Sequence, residues 1–596
     1  MKVIIWDFEV FKHDTLLGVL FVDLDEGTVE LKQTWDFDEI RKIYWHNFKT
    51  LWIGWNSNGY DDFIMEQIVS YKKNPFDMSK KIVEEKFEGR CRLGFMSYDL
   101  TNPFARASLG LKQTEAILGD SIETTEVSFD IDRKLTAKEK EQTEFYNFAD
   151  LERTYKNFLK MKPNLELRLA LIKEFNIPMN SGLKMTGTQI AASALKAQRN
   201  PALEFMEIKP HLYPSLRVEN KDVLEWFLKE KFRDKNNPDS TLSIDICGTN
   251  VTIAAGGMHS KTKKYYSKKA IYADISGYYN LIMINFDLLP RTLTEEGKKL
   301  YAFMYNEQLR LKKIDPVKRK VYKEICLAVF GSMNNEWTDF YDPWKFSLVT
   351  TSGEMFLFDL LEKLDGLGFA FNVNTDGIMF EPYDWNDEEK IKGIIKEWVE
   401  RNGFSVKTGI VYDYFGRDVN CYIMKEEDGK VVAKGDLFKN YDLSDSAFAM
   451  ASFFNCKEPP IIAQGIVSAL YNGLYPEQFV EQHKKEVKLF QYVVKKGGFD
   501  YLTFDEFYAD GLPKFSMQIK SPSRVFASSL EFSYGTVAKH MEKNGIKKSN
   551  KYPSLPPSVF VHNGDINNND AIDSLVDQID YDYYVQRIYE QLGKLL

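Results

Sequence analysis

The chain lacks the features of an exported, disulfide-stapled or membrane-spanning protein. Its 596 residues hold only five cysteines, Cys91, Cys247, Cys326, Cys421 and Cys456, odd in number, widely spaced and without a C-x-x-C pair. This argues against a disulfide framework and against a structural zinc site. No apolar run approaches the ~18 residues of a membrane span, and the opening "MKVIIWDFEV" meets an acidic residue at Asp7. That is too early for a secretory apolar region of about 7–15 residues. No internal repeat or low-complexity linker interrupts the chain. A monomer in a reducing cytoplasm, away from membranes, is expected.

What is present suits a multidomain globular protein with a large core, at 44% hydrophobic and 28% charged residues. The net charge of −9 would disfavour a polyanionic partner, but steering depends on local patches. Two such patches are basic: "SKTKKYYSKK" (260–269), five lysines around two tyrosines, and "RLKKIDPVKRKVYK" (310–323), seven basic residues in fourteen. Each is ordinarily a solvated face, and interleaved aromatics turn the balance towards nucleic acid.

The stretch "FNVNTDGIMF" (371–380) alternates as two strands joined by a two-residue turn, with Asp-Gly tolerating the positive φ such turns need. An aspartate at a hairpin tip is usually only a turn former, so Asp376 needs partners elsewhere. In the first 150 positions, "MKVIIWDFEVF" reads as a buried strand whose period of two puts Asp7 and Glu9 on one face. Their repulsion is tolerable at a solvated edge, or beside a divalent cation. The stretch "NSNGYDDFIMEQIV" places Asp61 at the start of an amphipathic helix, where an N-cap is the ordinary role. On the helical stretch 137–159, Tyr146 and Asp150 are i, i+4 neighbours.

Taken in order, D-x-E on a first strand, N-x-x-x-Y-D after a later one and Y-x-x-x-D on a helix resemble the exonuclease motifs of DEDD-type 3′→5′ proofreading exonucleases, as found in family B DNA polymerases. The resemblance implies that Asp7, Glu9, Asp61 and Asp150 hold two Mg²⁺ or Mn²⁺ ions. It further implies that Tyr146 orients the attacking water and that Asn56, with Tyr60 beside it in the motif, holds a single-stranded 3′ end. "GLKQT" (110–114) looks like the family's strand-binding motif, with Gly110 for the hydroxyl residue and Thr114 for the apolar one.

The resemblance continues downstream. "AIYADISGYYNLIMINF" (270–286) reads as a strand ending at Asp274, then a turn and an apolar segment, and a buried strand-end carboxylate needs a cation or a donor. Motif A of family B polymerases is D-x-x-S-L-Y-P and motif C is Y-x-D-T-D, so Asp274 and Asp376 match the two metal-binding aspartates, again with two ions. Motif B, K-x-x-x-N-S-x-Y-G, is similar to "KEICLAVFG" (323–331), with Leu327 and Ala328 for Asn-Ser. Lys323 is then the cation for the incoming triphosphate, with Arg310, Lys313 and Lys320 as further candidates. Tyr279 matches the motif-A aromatic beneath the sugar, which implies dNTPs as substrates. Gly256 and Gly257, in "AAGGMHS" (254–260), match a segment that contacts the template, where absent side chains permit close approach to phosphate. Asn374 stands for the first aspartate of D-T-D, Gly277 and Asn280 for the motif-A Ser and Pro, and "NCY" (420–422) for K-x-Y.

The implied fold is an α/β multidomain protein: an RNase H-like exonuclease (1–165), a connecting region (166–260), a palm (261–293 and 332–435) interrupted by helical fingers (294–331), and a thumb (436–596) that reads as helix-rich. The short span between Asp274 and Lys323 leaves no room for a protein-priming insertion, so a compact phage-type enzyme extending an ordinary primer is expected. Its partners would be primer–template DNA, single-stranded DNA and dNTPs, with helicase, primase or single-strand-binding protein left open. The alternatives are an exonuclease whose polymerase half has decayed, and a non-catalytic DNA-binding replication factor.

Overall fold

The computed structural model describes the chain apart from residues 86, 88, 102–108, 124, 126, 230–240, 255, 442–456, 509, 530–533 and 544–545. Cys456, and residue 255 of the 254–260 stretch, lie outside the described residues. The fold is mixed α/β in two compact units, one formed by 1–169, 178–184 and 439–590, the other by 170–177, 185–438 and 591–596. No helix among the described residues is long and apolar enough to cross a membrane. Cys91, Cys247, Cys326 and Cys421 are free thiols.

The first unit opens with β1 (Lys2–Val10), β2 (Thr15–Asp23), β3 (Thr28–Thr34), β4 (Leu51–Gly54) and β5 (Met96–Asp99), in the order β3-β2-β1-β4-β5. The pairs β1–β2 and β2–β3 are antiparallel, and β4 and β5 run parallel to β1. Pleating sends Trp6 and Phe8 into an aromatic core with Trp52 and Phe95, leaving Asp7 and Glu9 on the other face. Three helices matter for that face: α1 (Asp61–Val69), α2 (Leu111–Leu118) and α3 (Ala137–Glu174).

The second unit carries a small sheet, β6 (Thr241–Ile246), β7 (Thr249–Ala254) and β8 (Gly257–Ser260), and a six-stranded antiparallel sheet. The latter comprises β9 (Tyr265–Ile275), β10 (Gly368–Asn374), β11 (Gly377–Pro382), β12 (Val406–Asp418), β13 (Cys421–Glu426) and β14 (Val431–Lys434), ordered β10-β11-β9-β12-β13-β14. The helices that bear on the site are α4 (Tyr278–Asn285), α5 (Glu295–Arg310), α6 (Pro316–Ser332) and α7 (Pro343–Leu364). As expected, α5 and α6 form a hairpin broken at Asp315-Pro316. Asp315 caps α6 by accepting from the Lys318 N–H, and Pro316 needs no donor in the first turn. Helix α7 is buried along most of its length, and its cap Asp342 is gripped bidentately by Arg291 at 2.8 and 2.9 Å.

Beyond 436 the expectation of a helix-rich segment is met only in part: the helices Pro460–Val467, Pro476–His483, Asn569–Val576 and Tyr581–Leu595 are accompanied by unexpected strands. The described residues include β15 (Tyr492–Val494), β16 (Tyr501–Phe507), β17 (Pro513–Ile519), β18 (Ser523–Ala527), β19 (Tyr534–Lys543), β20 (Ile546–Lys551) and β21 (Val559–Val561), in sheets β15-β18-β21 and β17-β16-β19-β20. The edge strands β17 "PKFSMQI" and β20 "IKKSNK" are almost wholly exposed; β17 alternates Phe515, Met517 and Ile519 with polar residues, whereas β20 lacks the apolar alternation that marks a strand in sequence.

A buried cation ties this segment to the end of α2. Arg524, fully covered on β18, donates to Gln491 Oε1 at 2.9 Å, to the Gly564 carbonyl at 2.8 Å and to the Ala116 and Asp120 carbonyls at 3.0 Å. The last two belong to the C-terminal end of α2, where carbonyls lack helical partners and favour a positive charge. Arg524→Met should therefore destabilise the first unit by about 3 kcal/mol or more, since it strands buried acceptors. Thermal melts within a degree of wild type would refute this anchoring role.

Candidate active sites

In the first unit one ligand atom each of Asp7, Glu9 and Asp150 lie within 4.8 Å of one another. β1 supplies the first two and α3 the third. The approach of α3 depends on Gly18 of β2, where a Cβ would lie 1.8 Å from Asn147 Oδ1 and 2.8 Å from Leu151 Cδ1. Asn147 then donates to Asp7 Oδ2 at 3.1 Å, its own oxygen held by Gln33 at 3.1 Å. Asp61 stands outside the three. It is the first residue of α1 rather than its cap, a place taken by Tyr60, and it accepts the Phe8 N–H at 3.2 Å. Asn56 holds a positive φ of 60° in a turn fixed by Asp99, which accepts the Asn56 and Asn58 N–H groups at 2.9 and 3.1 Å. The Tyr60 hydroxyl pairs with Ser79 at 2.6 Å.

Burial, then the charge of Asp150, raises the pKa of Asp7 from 3.8 to about 7, with Lys112 and Asn147 opposing. Burial likewise lifts Glu9 and Asp61 well above the ordinary carboxylate range, and Asp7 adds to both. Such a group of acids cannot ionise together without added positive charge. Part of it is present in Lys112 of α2, which ion-pairs with Asp150, lies 3.2 Å from Glu115 Oε1 and sits 4.8 Å from the Tyr146 ring centroid. Lys112 lies inside "GLKQT", where Gly110 precedes the helix and Thr114 is buried against Asn157. A cavity of about 600 Å³ opens beside Tyr146, lined by Phe145, Gln142, Thr125 and Lys520 among others.

In the second unit, antiparallel register sets Gly377 of β11 opposite Asp274 of β9, and the Ile275 N–H donates to the Asp376 carbonyl at 2.8 Å. The two aspartates are thereby neighbours at one end of the sheet. The turn between β10 and β11 has two residues, but they are Thr375 and Asp376, since Asn374 pairs with Gly377, and neither has positive φ. Gly377 answers a different need: a Cβ there would stand 2.8 Å from the Ala273 carbonyl. Asp274 is exposed, contrary to the buried strand end expected, and Asp376 is exposed too. Packing around Asp376, then the charge of Asp274, raises its pKa, and Lys434 lowers it. Lys434, cross-strand from Tyr422, lies 5.9 Å from that ring's centroid. Asn374 accepts from the Thr375 N–H at 2.9 Å and reaches Asn420 at 3.4 Å.

Tyr279 on α4 stacks on Phe330 of α6 at 4.3 Å. Lys313, Lys320 and Lys323 are exposed, whereas Arg310 is paired with Glu307. Gly256 and Gly257 form a turn with φ of 132° and 152°. A Cβ at Gly257 would lie 2.6 Å from Thr375 Oγ1, so this turn abuts the hairpin tip.

Sequence reasoning missed Gly18, Asn147, Lys112 and Lys434. Only Gly18 left a local trace, as a glycine inside an apolar strand. No family model and no curated protein matches the chain. Among solved structures it is similar to the family B DNA polymerase from the hyperthermophilic archaeon Pyrobaculum calidifontis, with a TM-score of 0.40 and 12% identity over 100% of this chain and 78% of that one.

The raised acids set a pH dependence. Without cations the folded Asp7 keeps a proton that the unfolded chain releases above 3.8, so its stabilising contribution is complete below that pH and is lost as pH rises to about 7. Cation binding must expel that proton. Mn²⁺ should therefore raise the melting temperature of the first unit more at pH 8 than at pH 5; equal shifts at both would contradict the cluster's role.

Proposed function

We propose that the chain is a template-directed, primer-extending DNA polymerase of compact phage type with a 3′→5′ proofreading exonuclease. The observation that carries this reading is that one chain holds two separate carboxylate groupings, Asp7, Glu9 and Asp150 in one unit and Asp274 beside Asp376 in the other. These are the residues that the motif resemblance singles out. The mixed β3-β2-β1-β4-β5 order supports an RNase H-like exonuclease, and the α5–α6 hairpin beside the six-stranded sheet supports fingers on a palm.

In this reading Asp7, Glu9, Asp61 and Asp150 hold two Mg²⁺ or Mn²⁺ ions, and Asp274 and Asp376 hold two more. Such ions lower the pKa of the attacking oxygen and neutralise the leaving one. Tyr146, one helical turn from Asp150, orients the attacking water, and Asn56, Tyr60 and the cavity beside Phe145 receive the unpaired 3′ end. Lys323, Lys320 and Lys313 neutralise the dNTP triphosphate, while Lys434 faces the primer terminus beside the two aspartates. Gly256 and Gly257 meet the template backbone. Tyr279, propped by Phe330, closes the space beneath the sugar.

A second reading, an exonuclease with a decayed polymerase half, is favoured by one fact: among the described residues a group of three metal-competent acids occurs only in the first unit. Two variants decide. Asp7→Ala with Glu9→Ala should abolish degradation of a single-stranded 3′ end and spare primer extension. Asp376→Asn should do the reverse, slowing extension about a thousandfold, a loss of ~4 kcal/mol of transition-state stabilisation. Near wild-type extension by Asp376→Asn would return the aspartate to a turn role and remove the polymerase assignment. No extension by the wild-type protein would favour the second reading.

Sugar selection gives a further check. Tyr279→Val should raise ribonucleotide incorporation relative to dNTPs, whereas an unchanged preference would make Tyr279 a packing residue for Phe330.

A further inference from the structure

Beneath the hairpin tip, α7 carries a carboxyl group that the mechanism above does not use. Glu354 is 2% exposed, and neither of its oxygens meets the geometry of a full hydrogen bond. Burying a carboxyl costs several kcal/mol even when it is neutral and poorly paired, and its neighbours on α7, Met355 to Phe358, are all apolar. A leucine would be cheaper there unless the oxygens serve something. Helix α7 packs on β8, and the backbone N–H groups of Gly257, which opens that strand, and of Gly256 before it oppose the rise in pKa that burial imposes on Glu354.

Those glycines adopt φ values of 152° and 132°, which side-chain-bearing residues rarely reach. Their turn is wedged against Thr375, next to Asp376. On the other flank of the same helical turn, the Tyr278 hydroxyl donates to the Gly353 carbonyl at 2.6 Å. A Cβ at Gly353 would lie 3.2 Å from the Tyr278 ring and 3.3 Å from the Tyr279 ring. One turn of α7 thus touches both sides of the polymerase site.

We propose that Glu354 is a positioning residue that holds the Gly256–Gly257 turn against the Thr375–Asp376 tip and so fixes the distance between that tip and Tyr279. The proposal rests on the polymerase reading for its activity consequence but not for its structural one. Glu354→Leu keeps the bulk and removes the oxygens; Glu354→Gln keeps one acceptor and one donor, as a neutral carboxyl does.

Amide exchange across 250–262 should accelerate about tenfold in Glu354→Leu and stay near wild type in Glu354→Gln. Primer extension should fall about tenfold or more in Glu354→Leu, recover in Glu354→Gln, and leave 3′→5′ degradation unchanged as an internal check on folding. Because Glu354 acts through the turn, Glu354→Leu added to Gly257→Ala should cost little more than Gly257→Ala alone. Unchanged exchange in Glu354→Leu, an equal defect in the glutamine variant, or additive losses would each overturn the proposal. Should the wild-type chain extend no primer, the polymerase reading fails while the exchange measurement still judges Glu354.

Discussion

Like-charge repulsion between carboxylates inside or against a low-dielectric wall is the constraint on which both sites turn. In the first unit burial pushes Asp7, Glu9 and Asp61 towards protonation, with the charge of Asp150 adding to it at Asp7 and the charge of Asp7 adding to it at Glu9 and Asp61. A fold does not assemble such a group by default, because each buried acid opposes the next. The arrangement persists because the surrounding structure is over-determined: Asn147 grips Asp7, the Phe8 N–H grips Asp61 and Lys112 neutralises Asp150. A divalent cation would complete this electrostatically.

Close backbone approach delivers the carboxylates in both units. Gly18 lets α3 lie on β2 so that Asp150 reaches the strand carrying Asp7 and Glu9, and Gly377 lets β11 pack on β9 so that Asp376 reaches Asp274. Gly18 sits in a strand interior and Gly377 opens β11, and each costs conformational entropy without packing a side chain. The anchoring of α2 by Arg524 belongs to the same logic. A cation at the helix's C-terminal carbonyls fixes the element whose first turn carries Lys112 to Asp150.

The carboxylates were legible in the sequence because period two, period 3.6 and turn chemistry are local. Asp7 with Glu9, Tyr146 with Asp150, and Asp376 at a hairpin tip follow from spacing alone, as does the helical hairpin broken at Pro316. What stayed hidden depends on tertiary approach. Lys112 lies 38 positions from Asp150, and Lys434 comes to Tyr422 only through the β13–β14 register. Local chemistry also misled. Asp376-Gly377 suggested a positive-φ turn, whereas the glycine serves strand packing, and of the exposed C-terminal edge strands β20 has no alternating pattern to read, although β17 does in Phe515, Met517 and Ile519.

An asparagine at 374, where the motif resemblance has an aspartate, is intelligible on these terms. Its amide oxygen caps the Thr375 N–H, as a carboxylate could, while its amide nitrogen reaches Asn420, which a carboxylate could not donate to. Burial keeps nearby His259 biased towards its neutral form, and the Asn374 side chain is among the groups that oppose this. A carboxylate at 374 would add a negative charge to a tip that already sets Asp376 beside Asp274, with Lys434 opposing their repulsion, and would favour a charged His259. An uncharged amide holds the same turn with no such demand.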